Sequence, residues 1–112
     1  MSECLFCKMA AGGIKPDVVF EDDLVLAFRD IHPQAPLHVL IIPKRHIANL
    51  NDLDDAGLGG HLLQTAAKLA EQLGYAESGF RTVFNTNNDG GQTVHHLHMH
   101  LLAGRQMTWP PG

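Results

Sequence analysis

Apolar positions along this chain switch between a helical and a strand period, and each switch marks an element. From Cys4 to Ala11, Leu5, Phe6, Met9 and Ala10 recur at helical spacing and Gly12-Gly13 supplies a stop, which predicts a short helix of about two turns. Val18-Val19-Phe20-Glu21 and Leu24 to Phe28 then read as two strands around Asp22-Asp23, a hairpin. Arg29-Asp30 closes the second strand, ahead of a loop that carries Pro33 and Pro36. His38 to Ile42 is almost continuously apolar, as a central strand covered on both faces would be, and Pro43 stops it.

Asp54 is placed to cap a helix running to about Leu73, with Leu58, Leu62, Ala66, Leu69 and Leu73 on one stripe and Gly74 in the stop position. Gly57, Gly59 and Gly60 each weaken its first turns by roughly 1 kcal/mol relative to Ala, while Lys68, Glu71 and Gln72 form a solvated face. Gly79 to Asn85 reads as a further strand that feeds the turn Asn87-Asn88-Asp89-Gly90-Gly91. The expected fold is α+β: a five-stranded antiparallel sheet with one long and one short helix, in one domain over residues 1–112.

The stretch after that turn carries the chemistry. If Val94 to Leu102 is a strand, alternation sends His96, His98 and His100 to one face and Leu97, Met99 and Leu101 to the other. Same-face neighbours then stand roughly 6.6 to 6.8 Å apart, a row long enough to span a phosphate and its leaving group. A helix would instead turn His98 away from the other two. Four of the eight histidines fall in this one stretch, so a scatter of surface imidazoles is a poor account of them. His38 reads as a hydrogen-bonded structural histidine, and His32 and His61 read as surface positions. The turn ahead of the row tolerates positive φ and can present backbone N–H groups to an anion.

Composition narrows the classes. With 112 residues, 45% hydrophobic and 18% charged, the chain suits one folded domain rather than a disordered segment. A formal charge of −4 argues against a nucleic-acid surface, though a mononucleotide needs no basic patch. No apolar run is long enough for a membrane span or a signal peptide, so no membrane partner is expected and the cytoplasm is the expected compartment. Cys4 and Cys7 make a C-x-x-C pair, which in that compartment points to metal or redox chemistry, or to two small thiols on one helix face.

Over nearly its whole length the chain resembles the histidine triad (HIT) proteins, and within them the nucleotide-binding branch that acts as purine nucleoside phosphoramidases. The motifs that carry the resemblance are the His96 to Leu102 run, Asn85 with Gly90-Gly91-Gln92-Thr93, Phe20-Glu21-Asp22-Asp23, Ala27-Phe28-Arg29-Asp30-Ile31, Pro33-Gln34-Ala35-Pro36, Ile42-Pro43-Lys44-Arg45-His46 and the tail Gly104 to Gly112. The resemblance implies that His98 attacks the α-phosphorus and forms a nucleotidyl-histidine, which water then hydrolyses. It implies orienting roles for His96 and His100, phosphate donors at Asn85, Gln92 and Thr93, and a proton relay through the Thr93 hydroxyl. It also implies ribose binding by Asp30 and a purine slot formed by Leu5, Phe6, Met9, Phe28 and Ile31.

The same resemblance implies a homodimer in which Trp109 reaches toward the partner's site. For Cys4, Cys7, His46 and His96 it implies a closed, structural zinc, with no catalytic metal. His95 stands where relatives often carry tyrosine. Two other readings stay open at this level: dinucleoside polyphosphate hydrolysis or nucleotidyl transfer, and a non-catalytic nucleotide- or zinc-binding interaction module.

Overall fold

The computed structural model describes residues 4–112. In chain order it holds α1 (Leu5–Ala10), β1 (Val18–Glu21), β2 (Val25–Arg29), β3 (Leu37–Pro43), a 3₁₀ turn (Leu50–Asp52), α2 (Ala56–Gln72), β4 (Phe80–Phe84), a single turn α3 (Asn87–Gly90) and β5 (Met99–Ala103). The five strands form one antiparallel sheet in the order β1-β2-β3-β5-β4. The fold is therefore α+β, and beyond the expected long and short helices it adds two single-turn elements.

Every residue of β3 is buried, because both faces of the sheet are covered. Val25 and Ala27 of β2, Val39 and Ile41 of β3, and Met99 and Leu101 of β5 meet the α2 stripe of Leu58, Leu62, Ala66 and Leu69. Leu26, Phe28, Leu40 and Ile42 turn to the other face and pack with Phe6 of α1. Apolar area removed from water on both sides, at roughly 25 cal/mol per Å², is what holds the layers together.

Three expectations need correction. Asp55, not Asp54, caps α2: its Oδ1 accepts the Leu58 N–H at 3.1 Å, whereas Asp54 faces Arg45 at 3.6 Å. The two aspartates are adjacent, and only the cap geometry separates them. At the other end the reading stands, with Gly74 at φ +91° and the Tyr75 N–H closing back on the Ala70 carbonyl. Secondly, the histidine strand starts late. Ile41 pairs with Met99, so the register would next set Ile42 against His98 and then Pro43 against Leu97, where proline has no N–H to donate. The β5 ladder begins at Met99; His98 lies just ahead of it and His96 closes the bend of residues 94–96. Thirdly, His61 is half-buried rather than fully exposed, with Nε2 2.7 Å from Asp22 Oδ2.

Candidate active site

Alternation survives the loss of ladder pairing. Leu97 is held by an N–H donated to the Ile47 carbonyl at 2.6 Å and joins the α2 core with Met99 and Leu101. His96, His98 and His100 therefore turn to the opposite face. Phe6 of α1 packs edge-on against His96 and His98, with ring centroids 5.9 and 5.3 Å away, and the His98 and His100 centroids are 5.1 Å apart.

Each imidazole has its tautomer set by a neighbour. His98 Nδ1 lies 2.7 Å from the His96 carbonyl, a bond only a protonated nitrogen can make, so Nε2 carries the lone pair. For His38, the Gln34 N–H donates to Nδ1 at 3.0 Å, which leaves the proton on Nε2. That proton faces His100 Nδ1 at 2.9 Å and Asp30 Oδ2 at 3.5 Å. His100 Nδ1 is then the acceptor, and its Nε2 carries the hydrogen. Nucleophilic lone pair and hydrogen-bond donor thus stand on adjacent rings.

Burial holds the His100 pKa down, to about 4, helped by neighbouring His98 and His38 and opposed by Asp30. Burial lowers His38 and His96 as well. These three rings are kept neutral, which a tautomer chain requires. Asp30, His38 and His100 present three ligand-type atoms close together, yet the Gln34 N–H commits His38 Nε2 to carrying a proton. That cluster is a proton chain rather than a cation site.

His96 takes a different part. Its Nε2 lies 2.8 Å from the Pro43 carbonyl, so the Nδ1 lone pair points toward Cys4, Cys7 and His46. Cys4 Sγ and Cys7 Sγ stand 3.3 and 3.4 Å from it, His46 Nδ1 3.2 Å from it and 3.1 Å from Cys7 Sγ. A tetrahedron built on ordinary zinc–nitrogen and zinc–sulfur bonds has edges of about 3.3 to 3.8 Å. The four ligand atoms, all within 4.8 Å of one another, fit a bound cation of that kind. Cys4 also caps α1 by accepting the Cys7 N–H at 3.3 Å, so the helix itself sets the C-x-x-C geometry.

The remaining expected residues fall into two groups. Asp30 follows β2, with Oδ1 accepting the His32 N–H at 2.8 Å. Asn85 is half-buried just after β4, and Thr93 is exposed. Gln92 is buried and spends both amide hydrogens on the Ala48 and Val94 carbonyls, at 2.8 and 3.0 Å, while its oxygen takes the Asn87 N–H. It therefore has no hydrogen left for a phosphate oxygen and braces the loop ahead of the histidines.

Phe6 and Phe28 pack edge to face at 5.5 Å and are both buried, so they form a wall rather than two sides of a slot. Met9 packs against that wall, whereas Leu5, Ile31 and Trp109 are 46%, 86% and 82% exposed. His38 is the residue whose place in the site the sequence hid. Its period put it on the face of Leu40 and Ile42, and only the register that sets Leu40 opposite His100 shows the neighbour. Among the described residues, the two clefts of roughly 700 Å³ run along α2 beside His61 and Gln64, on the far side of the sheet from His98.

Comparison with known proteins points the same way. The HIT domain family matches residues 11–107. An uncharacterized HIT-like protein of Synechococcus elongatus is 55% identical, covering 100% of both chains. The purine nucleoside phosphoramidase of Escherichia coli K12 is 50% identical over 107 residues, 94% of this chain and 90% of that one. A crystal structure of a HIT family hydrolase from Legionella pneumophila superposes with a TM-score of 0.95 at 60% identity, covering 98% of this chain and 100% of the other. No helix among the described residues is long and apolar enough to cross a membrane.

Proposed function

The chain belongs to the HIT domain family, and on that footing we propose that it hydrolyses purine nucleoside phosphoramidates to a nucleoside monophosphate and an amine. The observation that carries this reading is the 2.7 Å bond from His98 Nδ1 to the His96 carbonyl, which leaves Nε2 as a fixed, unprotonated nucleophile. The 50% identity to a purine nucleoside phosphoramidase supports the choice of substrate.

In this reading His98 Nε2 attacks the α-phosphorus, the P–N bond breaks, and the amine leaves with a proton relayed by the Thr93 hydroxyl. Water then attacks the nucleotidyl-histidine, releasing the nucleoside monophosphate and the free imidazole. Splitting the displacement replaces one difficult step with two easier ones. His100 Nε2–H and the Asn85 amide offer hydrogens to the phosphate oxygens, where charge stabilisation and positioning dominate. Asp30 takes the ribose hydroxyls, and Phe6, Phe28, Met9, Leu5 and Ile31 form the apolar ground for the purine. Gln92 acts through the loop it braces.

Cys4, Cys7, His46 and His96 would hold a zinc ion as a closed structural site, and His96 serves the reaction through the backbone carbonyl on which His98 rests. When bound, such an ion supplies a cross-link between α1 and the sheet, and no step passes through it. The chain forms one HIT domain over residues 1–112 and works as a homodimer in which Trp109, 82% exposed in the single chain, reaches toward the partner's site.

The test is release of AMP from an adenosine phosphoramidate, with wild type and His98→Ala compared before and after chelation. Turnover that survives chelation and is abolished in the variant is expected. Wild-type protein that binds AMP yet leaves the phosphoramidate intact while cleaving a dinucleoside polyphosphate would overturn the substrate assignment.

A further inference from the structure

The segment after β5 grips the loop that joins Asp30 to His38 at two points. Gly104, at φ +97°, lies so close to Pro36 that a Cβ there would stand 2.8 Å from Pro36 Cβ. Next to it, Arg105 Nε donates to the Gln34 carbonyl at 2.9 Å. Gln34 is the residue whose own N–H selects the His38 tautomer, at 3.0 Å from Nδ1.

The consequence of losing that N–H follows from proton counting. His38 could then carry its hydrogen on Nδ1, which would turn Nε2 into an acceptor. To keep the 2.9 Å contact, His100 would have to move its own hydrogen to Nδ1, leaving Nε2 bare. The donor offered to the phosphate would become a second lone pair beside that of His98. A shift of the Gln34 peptide thus propagates across two rings as a paired tautomer change.

We propose that Arg105 is a positioning residue: by holding Gln34 it locks the His38–His100 pair in the tautomer that presents His100 Nε2–H to the substrate phosphate. It touches no reacting atom. The C-terminal segment, through Gly104 and Arg105, is in this way part of the machinery that sets proton positions at the site. The inference deepens the phosphoramidase reading and rests on it only for the identity of the phosphate.

The experiment combines ring nitrogen-15 NMR, which distinguishes protonated from bare imidazole nitrogens, with steady-state kinetics on an adenosine phosphoramidate. The variants are Arg105→Ala, Arg105→Lys and Gln34→Pro, the last removing the N–H while keeping the carbonyl. Wild type is expected to show bare Nδ1 and protonated Nε2 on both His38 and His100. In Arg105→Ala both rings should mix tautomers, with kcat lowered roughly tenfold, as for a hydrogen bond from a charged donor, and KM changed less than about twofold. Arg105→Lys, with a single flexible donor, should fall between.

Gln34→Pro should show the same ring signature, and adding Arg105→Ala to it should cause no further loss, since both act through one N–H. Unchanged ring tautomers in a folded Arg105 variant, or losses that add in the double variant, would overturn the proposal; should Arg105→Ala unfold, Arg105→Lys carries the same criterion. The ring measurement needs no substrate. Absence of wild-type turnover would therefore sink the substrate reading alone, leaving Arg105 to be judged on the rings.

Discussion

Lowering the pH from about 7 to about 4.5 drives a proton toward an imidazole that the fold keeps neutral. His100 is half-buried, with His98 and His38 beside it and only Asp30 favouring its charge, and its pKa falls from 6.5 to about 4. The unfolded chain regains the ordinary value. Between those two values the unfolded state binds more protons than the folded state, so stability is complete above about pH 6.5 and is lost as pH falls toward about 4.

At roughly 1.4 kcal/mol per pH unit the full loss is about 3.5 kcal/mol, of which somewhat under about 3 kcal/mol falls above about pH 4.5, and residual solvation of the half-buried ring brings the expectation nearer to about 2 kcal/mol. Urea unfolding of wild type and His100→Asn at about pH 7 and about pH 4.5 isolates this contribution. His38 and His96, which burial also lowers, remain in both proteins and cancel to first order. The variant starts less stable, yet its stability should fall less on acidification, by about 2 kcal/mol. Equal falls in the two proteins would show that His100 does not carry the acid sensitivity, and the neutral-ring account of the site would fail with it.

Other consequences are quicker to check. Asp55→Ala should cost α2 about 1 kcal/mol by losing its cap while Asp54→Ala, which removes only an exposed ion pair, should stay within about 0.5 kcal/mol, both read from denaturant midpoints. Leu62→Ala, at a fully buried position of the α2 stripe, should destabilise by about 2 to 5 kcal/mol in the same assay. Cys4→Ser should lower zinc retained after gel filtration and the thermal midpoint together, while folded protein below that midpoint keeps most of its phosphoramidate turnover. Loss of turnover at full folding would give the cation cluster a part in catalysis that the proposed mechanism denies it.

Period was the legible layer of this sequence. The strand of His38 to Ile42, the α2 stripe and the alternation of His96, His98 and His100 with Leu97, Met99 and Leu101 could all be read because side-chain direction is a local property of the backbone. What could not be read was set by partners distant in the chain. That the histidine ladder fails at Pro43 depends on which residue of β3 faces Leu97, and no local pattern carries that register. The resemblance made Gln92 a phosphate donor through its place in the motif, whereas its hydrogens go to Ala48 and Val94, one of them more than forty positions away.

The same limit governs the site chemistry. Which nitrogen of each histidine is bare is decided by the His96 carbonyl, the Gln34 N–H and the Pro43 carbonyl, backbone groups that every residue possesses and no side-chain motif advertises. A triad of imidazoles announces that proton chemistry is available; the surrounding peptide groups decide in which direction it runs. That is why three histidines two residues apart end in three different roles: His96 with its lone pair toward the thiols, His98 with its lone pair free on the wall of Phe6, and His100 with its lone pair toward His38 and its hydrogen on Nε2.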